Sequence, residues 1–354
     1  MARLDKEFKT FYSEEVKYYA NKEIRDKKNK LKTDFKSNFP TKFKEYFDDE
    51  FKAENIRFID QGSYAIGTTI NHGNKAFDID VATILDIDVT KYSNPVEIKK
   101  IARDSLSSTN RNPIIKEPCI TVKYTKEGEE KYHVDFPVYA NHNGRLYLAR
   151  GYEYSSEENR KWELADPEGL NDYFKTDNLQ IEGLELSGDE KEQRNQKRRL
   201  IRYFKWWKAE KYSNPQSDNE VPPSIALTIL VCKYFKYSKI DEKYNDLDSL
   251  YKTVNKIIEE IFYDGYDTEW NEIKKIRNCN LPTIPNSDCF SNLKNSDNYV
   301  KKFYDKMEYF KNQLEIAVNE SNERKAGESI CKVFGEKFPL PEEDKANEED
   351  SFAE

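Results

Sequence analysis

A pair of aspartates within an apolar segment has the clearest chemistry in this chain. Asp78 and Asp80 lie two positions apart in FDIDV, residues 77–81. On a β-strand they would project from one face, and Phe77, Ile79 and Val81 from the other. Two neighbouring carboxylates repel each other, and burying them is costly unless a cation lies between them. Because carboxylate oxygens suit Mg²⁺ or Mn²⁺, the spacing predicts a divalent metal site.

A third carboxylate, Asp135, lies in a second alternating apolar run, KYHVDFPVY at residues 131–139. We expect this run to be a neighbouring strand. Three acids can hold two ions, and ions about 3.5–4 Å apart can bind the attacking and leaving oxygens of an in-line phosphoryl displacement. The three aspartates therefore predict nucleotidyl transfer with two Mg²⁺ or Mn²⁺ ions. His133 shares the face of Asp135, and we interpret it as a packed or hydrogen-bonding residue, because imidazole is a poor Mg²⁺ ligand.

A Gly-Ser pair precedes the aspartates in QGSYAIGTT, residues 61–69. Gly62 and Ser63 should lie between a strand at residues 56–59 and a short helix beginning near Tyr64. Backbone N–H groups at such a helix start, together with the Ser63 hydroxyl, can bind the β- and γ-phosphates of a nucleoside triphosphate, which Gly62 would allow to come close. A Gly-Ser pair alone is typical of ordinary turns. Followed by the three aspartates, it indicates a triphosphate site.

The chain is long enough for two lobes, with 354 residues of which 14% are aromatic. Alternating strands and short helices are predicted over residues 36–175, and a helical pattern from about residue 180. Apolar residues at helical spacing predict one long amphipathic helix over residues 3–34. Asp166 and Pro167 indicate a helix N-cap and first turn. The predicted domains are a helix at 1–35, a catalytic lobe at 36–178, a helical lobe at 179–338 and an acidic flexible tail at 339–354.

Charge and composition exclude several classes of protein. The formal net charge of −8 argues against a protein that wraps a long polyanion. The five cysteines contain no CxxC pair, so neither a zinc ribbon nor a disulfide framework is indicated. Since no apolar run reaches membrane-spanning length and the first residues are charged and helical, we expect no signal peptide, no membrane partner and a cytoplasmic location.

Several longer motifs resemble the bacterial CD-NTases, the cGAS- and DncV-like nucleotidyltransferases that make cyclic oligonucleotide second messengers in anti-phage (CBASS) signalling. The matching segments, spread over residues 55–340, are QGSYAIGTT, FDID, HVDFPVY, WELADPEGLNDYF, RRLIRYFKWWK, PPSIAL and AGESICKVFGEKFP. WELADPEG and PSIAL look most like clade E. The resemblance implies an α/β fold with a polymerase-beta-like mixed sheet, a helical C-terminal lobe and an N-terminal spine helix. It also implies a separate effector protein that senses the cyclic product. The scattered cysteines depart from the zinc thumb with which animal cyclic GMP-AMP synthase engages double-stranded DNA, and together with the net charge they argue against such an activator.

The helix predicted around residues 189–211 carries a basic stripe. On a helical wheel one side holds Lys191, Arg194, Arg198, Arg202 and Lys205, and the opposite side holds Leu200, Phe204 and Trp207. For an isolated helix a solvated charged face is the expected interpretation. The resemblance implies instead that Lys205 and Ser224 contact the donor triphosphate of GTP or ATP, and that Arg194, Asn195 and Arg198 cover a base. Since guanidinium groups match guanine O6 and N7, a guanine-containing product such as cyclic di-GMP is favoured.

Other functions use part of the same pattern. An RNA-terminal nucleotidyltransferase shares the three acids but needs an extended basic track, which the net charge does not suggest. Aminoglycoside-type and toxin-type transferases are usually shorter. A non-catalytic nucleotide sensor has little need of three desolvated carboxylates. The sequence therefore favours a cyclic dinucleotide synthase.

Overall fold

The computed structural model describes residues 3–18, 22–72, 77–126, 129–175 and 188–342. The chain divides into two compact units. The sheet unit comprises Tyr18–Leu186 and Asn280–Asp288, and the helical unit comprises Met1–Lys17, Ser187–Cys279 and Cys289–Glu354. The predicted domain boundaries stay predictions; the one at residues 178/179 and the tail from residue 343 onward lie outside the described residues.

The N-terminal segment is not the single helix predicted over residues 3–34. Helix α1 (Asp5–Phe11) continues into one π-helical turn, and the backbone is extended at Lys17 before helix α2 (Lys22–Phe47). Phe11 of α1 stacks on Tyr203 in the helical unit, whereas the apolar residues of α2 belong to the core of the sheet unit. Helical periodicity does not reveal the break, because it does not record which core each segment joins.

One mixed sheet of eight strands forms the centre of the sheet unit. Its strands are β1 (Ile56–Gln61), β2 (Phe77–Asp86), β3 (Ile114–Ile115), β4 (Ile120–Lys126), β5 (Glu129–Phe136), β6 (Val138–His142), β7 (Arg145–Arg150) and β8 (Lys161–Ala165). The order is β3-β4-β5-β2-β6-β7-β8, and β1 pairs with β2. β2 runs parallel to β5 and β6 and antiparallel to β1.

Three further helices of the sheet unit are α3 (Gly62–Ala65), α4 (Pro95–Leu106) and α5 (Pro167–Asp172). The predicted N-cap at Asp166 is confirmed, because its carboxylate accepts a hydrogen bond from the backbone N–H of Gly169 at 2.8 Å. This contact satisfies one of the donors that a helix start leaves unpaired.

The core of the sheet unit lies between α2 and one face of the sheet. Phe35, Phe39 and Phe43, four residues apart on α2, are buried in one cluster with Ile79 and Val81 of β2. Residues four apart lie on the same face of a helix, which gives α2 its apolar stripe. Because the core occupies this face of β2, the residues that alternate with Ile79 and Val81 point to the other face.

The helical unit contains α1 and most of the second half of the chain. Its further helices are α6 (Gly188–Lys211), α7 (Ser224–Tyr234), α8 (Asp246–Ile261), α9 (Asp297–Asn319) and α10 (Glu323–Phe334), with the short strands β9 (Lys239–Ile240), β10 (Lys243–Tyr244), β11 (Phe262–Tyr266) and β12 (Glu272–Ile276). The predicted fold class, a mixed α/β sheet with a helical second part, is confirmed. Within the described ranges, no helix has the length and apolar character needed to cross a bilayer.

Candidate active site

β2 places both aspartates of the Asp-x-Asp pair on the sheet face away from α2. Ile79 and Val81 are fully buried on the α2 side, so Asp78 and Asp80 project from the opposite side. The alternation predicted from the sequence holds at these four positions, and the side chain of Phe77 lies outside the described residues.

β5 brings the third aspartate to the same face. In the parallel register of β2 and β5, Asp80 pairs with Asp135, and Asp78 pairs with His133. Directly paired residues of neighbouring strands share a face. The structure therefore brings Asp78, Asp80 and Asp135 together on one surface of the sheet.

His133 lies between two of these carboxylates. Its Nε2 atom is 2.6 Å from Oδ1 of Asp78 and 3.8 Å from Oδ2 of Asp135. The hydrogen bond to Asp78 raises the pKa of His133; burial opposes this effect, and the charges of Asp78 and Asp135 add to it. His133 is thus a hydrogen-bonding neighbour of the acids, in line with its interpretation from the sequence.

Asp135 has a second partner on the other side. The hydroxyl of Thr121, on β4, donates to Oδ1 of Asp135 at 2.6 Å, and Nζ of Lys116 lies 4.0 Å from the same oxygen. Thr121 is fully buried, and it is the register partner of Asp135 across β4 and β5. Sequence reasoning did not identify Thr121; only the pairing of β4 with β5 reveals it.

Gly62 and Ser63 open α3 directly after β1, so the helix begins two residues before the predicted start at Tyr64. Gly62 has φ +67°, and a Cβ atom added there would lie 2.0 Å from Oδ2 of Asp80. The missing side chain therefore admits the Asp80 carboxylate, a reason that the sequence does not reveal. The Ser63 hydroxyl lies 3.2 Å from that of Thr69.

The donor set on this face fits a divalent cation of the Mg²⁺ type, because it consists of hard carboxylate oxygens. In the part of the chain that the structure describes, no three His, Cys, Asp or Glu side chains form a ready-made metal cage. Mg²⁺ characteristically binds one or two carboxylates together with substrate phosphates rather than an all-protein cage. The residues present therefore fit ions that are shared with a bound triphosphate.

The predicted triphosphate contacts of the helical unit lie on α6 and α7. Lys205 is buried on α6, and Ser224 is the first residue of α7. The Ser224 hydroxyl accepts a hydrogen bond from Nζ of Lys208 at 2.5 Å. Lys208 follows Lys205 by three residues and so lies on the same side of α6. Sequence analysis did not single it out, although that spacing was a signal.

The basic stripe of α6 changes character along the helix. Lys191 is exposed, Arg194 and Arg198 are half-buried, and Arg202 and Lys205 are buried. A uniformly solvated charged face therefore does not describe α6.

Two arginines of the basic stripe on α6 make different kinds of contact. Arg198 donates to the side-chain oxygen of Asn195 at 3.1 Å, and burial, followed by the charge of Arg202, lowers the pKa of Arg198. Arg202 donates to the Tyr12 hydroxyl and so fastens the N-terminal segment to α6. Leu200, Phe204 and Trp207 are fully buried, as expected from the helical wheel.

Comparison with known proteins gives a family match for part of the sheet unit. The family described as "Cyclic GMP-AMP synthase DncV-like, nucleotidyltransferase domain" matches residues 56–139. This range contains Gly62, Ser63 and all three aspartates.

A curated relative extends the similarity over a larger part of the chain. The cyclic GMP-AMP synthase of Escherichia albertii is 25% identical over 254 residues, which cover 68% of this chain and 49% of that protein. The chain thus spans about half the length of this relative.

Solved structures share the fold. The Vibrio cholerae DncV cyclic AMP-GMP synthase, a prokaryotic cGAS homolog, superposes with a TM-score of 0.66 at 14% identity, covering 96% of this chain and 97% of that one. The same enzyme in complex with the linear intermediate 5′ pppA(3′,5′)pG gives 0.64 at 14% identity, with coverages of 95% and 96%. The family match confirms the predicted resemblance over residues 56–139, and the solved structures show that the fold of the chain is shared with DncV.

Proposed function

We propose that this protein is a cyclic oligonucleotide synthase that joins nucleoside triphosphates into a cyclic dinucleotide and releases pyrophosphate. The observation that carries the proposal is the meeting of Asp78, Asp80 and Asp135 on one sheet face within the range that matches the DncV-like nucleotidyltransferase family. The product is a second messenger for anti-phage (CBASS) signalling, sensed by a separate effector protein. A guanine-containing ring such as cyclic di-GMP and membership of clade E are parts of the same proposal.

The three aspartates would hold two Mg²⁺ or Mn²⁺ ions, which, when bound, neutralise triphosphate charge and make a ribose hydroxyl more acidic. Ser63 and the α3 backbone bind the β- and γ-phosphates. As the resemblance implies, Lys205 and Ser224 contact the donor triphosphate, and Lys208 orients the Ser224 hydroxyl.

The reaction is an in-line displacement at phosphorus. Activated at the site that Asp135 completes, a ribose hydroxyl of one nucleotide gives its proton to solvent, and its oxygen forms a bond to the α-phosphorus of the other nucleotide. The bond between that phosphorus and the oxygen bridging to the β-phosphate breaks, and pyrophosphate leaves with the electron pair. Arg194, Asn195 and Arg198 hold a base during this step. A second displacement of the same kind closes the ring. Since the protein forms no covalent bond to substrate, positioning and electrostatics supply the catalysis.

The test is an incubation of the purified chain with all four nucleoside triphosphates and Mg²⁺ or Mn²⁺. Mass spectrometry after phosphatase treatment should show a resistant cyclic product, and pyrophosphate should accumulate. In the double variant Asp78→Asn/Asp80→Asn, pyrophosphate release should fall by more than about 1,000-fold, since losing the ions removes several kcal/mol of transition-state stabilisation.

Three results would contradict the proposal. Synthesis at the wild-type rate in the double variant would remove the aspartates from the mechanism. Linear tails on added RNA would identify an RNA-terminal nucleotidyltransferase. Bound triphosphate without any pyrophosphate would identify a sensor.

A further inference from the structure

Two hydrogen-bond donors lie beside the aspartates, and the reaction above assigns neither of them a role. They are Thr121, which donates to Asp135, and His133, which contacts Asp78. We propose that Thr121 and His133 are positioning residues that orient these two carboxylates for metal binding. The inference rests on the proposed role of the aspartates as metal ligands.

The strand register places both donors. Thr121 of β4, Asp135 of β5 and Asp80 of β2 are direct partners and form one row across the sheet. His133 and Asp78 are partners in the next row. Because partners in a row project from the same face, the hydroxyl and the imidazole stand beside the carboxylates wherever this sheet forms.

Thr121 fixes one oxygen of Asp135. Its side chain is fully buried, and a β-branched residue has restricted χ1 freedom, so the hydroxyl is held in place. The 2.6 Å contact reaches Oδ1, while Oδ2 lies on the side of His133 at 3.8 Å. With Oδ1 held, the carboxylate loses less rotational freedom when Oδ2 binds a ligand.

His133 restrains a more exposed carboxylate. The side chain of Asp78 is 58% exposed, whereas that of His133 is 14% exposed. An exposed aspartate samples several rotamers in solution. The 2.6 Å contact between Nε2 of His133 and Oδ1 of Asp78 restrains the exposed carboxylate against the more buried imidazole. Asp135 lies on the same side of His133.

If these contacts only stabilised the fold, a buried threonine elsewhere on the sheet would matter as much for Mn²⁺ binding as Thr121. Thr83 provides the matched control for this possibility. Thr83 lies on β2 and is fully buried like Thr121. It alternates with the aspartates and so faces the α2 side, where its hydroxyl is 3.5 Å from the Val81 carbonyl. Thr83→Val therefore makes the same chemical change without touching a carboxylate of the site.

The experiment measures Mn²⁺ binding to the full chain by electron paramagnetic resonance, with and without a non-hydrolysable GTP analogue, alongside thermal unfolding. Thr121→Val and His133→Leu should each weaken Mn²⁺ binding by about 10-fold or more, the usual effect of removing a partner of a metal ligand. Thr121→Ser and His133→Gln, which keep a donor, should stay within about 3-fold of wild type. Thr83→Val should bind Mn²⁺ like wild type.

Unchanged Mn²⁺ affinity in Thr121→Val and His133→Leu would overturn the inference. Equal losses in Thr121→Val and Thr83→Val would do so as well, because they would indicate general destabilisation. If Thr121→Val does not fold, the two His133 variants decide the matter. Failure of the proposed function gives a different result: wild type binds Mn²⁺, Asp78→Asn/Asp80→Asn does not, and no pyrophosphate is released. In that case the comparison of variants still decides the positioning role.

Discussion

Aspartates on the two faces of the sheet have different neighbours. Asp60 of β1 pairs with Val81 and therefore lies on the α2 side. There Lys28 and Lys32 of α2 both donate to its carboxylate, Lys32 at 2.8 Å. Two cations thus surround one acid. Burial raises the pKa of Asp60, but the hydrogen bonds and charges of the two lysines together outweigh it and hold the pKa below its ordinary value.

On the opposite face, carboxylates lie beside one another. Asp78, Asp80 and Asp135 meet there, and Asp78 and Asp135 contact His133 and Thr121. Lys116 approaches Asp135 only to 4.0 Å. Among the described residues, the fold places two lysines against Asp60, while it gathers three carboxylates on the other face. Asp60 with its two lysines is an ion-pair cluster that stabilises the fold, and under the proposed function the three aspartates are directed at a ligand that brings positive charge.

Among these variants, Asp135→Asn should have the largest effect on activity. The substitution preserves the shape of the side chain and the hydrogen bond from Thr121, but it removes the charge that would hold a cation. Pyrophosphate release should fall by about 100-fold or more. The melting temperature should stay the same or rise, because removing one negative charge reduces the repulsion among the three acids. A loss of stability without a loss of activity would place Asp135 in the same class as Asp60.

Alanine substitutions at two glycines, Gly62 and Gly67, should have smaller effects. Comparing them separates the effect of contact with Asp80 from the effect of backbone strain. Gly62 and Gly67 have φ values of +67° and +64°, and a Cβ atom at Gly67 would meet nothing within 4 Å. Backbone strain alone should therefore make Gly67→Ala cost about 1 kcal/mol of unfolding free energy, and Gly62→Ala should cost at least as much.

Only Gly62→Ala should also lower pyrophosphate release, by about 10-fold, because its Cβ atom would displace the Asp80 carboxylate. Denaturant unfolding and a pyrophosphate assay on both variants measure the two effects separately. Equal activity in Gly62→Ala and Gly67→Ala would show that Asp80 does not depend on the space beside Gly62.

Features that depend on the local pattern of residues could be predicted from the sequence. Alternation around Asp78 and Asp80 is enough to place both on one face of a strand, and a second alternating run around Asp135 is enough to predict a neighbour. The N-cap at Asp166 follows from short-range chemistry in the same way.

Features that depend on long-range register were not predictable. Thr121 acquires its contact only because β4 lies beside β5, and nothing near residue 121 indicates that pairing. The break at Lys17 was missed for a related reason, since α1 and α2 have similar periodicity but join different cores. Gly62 was assigned to phosphate approach because the position of Asp80 against it appears only in three dimensions.

Asp60→Asn tests the neutralised side of the comparison and should have the mildest effect on activity. It leaves Lys28, which is 5% exposed, facing a neutral amide, so unfolding free energy at neutral pH should fall by about 1–3 kcal/mol. Since the folded-state pKa of Asp60 is below the ordinary value of 3.8, its contribution is complete above that value and is lost as the pH falls through the folded-state pKa.

The difference in stability between wild type and Asp60→Asn should therefore be constant near neutral pH and shrink below about pH 4. Denaturant unfolding between pH 3 and 7 measures it, with Asp80→Asn as the matched variant from the other face. Asp80→Asn should be at least as stable as wild type at pH 7, because it reduces repulsion among the three acids. If both variants lost the same free energy, the two faces would not differ in how they stabilise a carboxylate, and the three aspartates would not be a ligand-directed cluster.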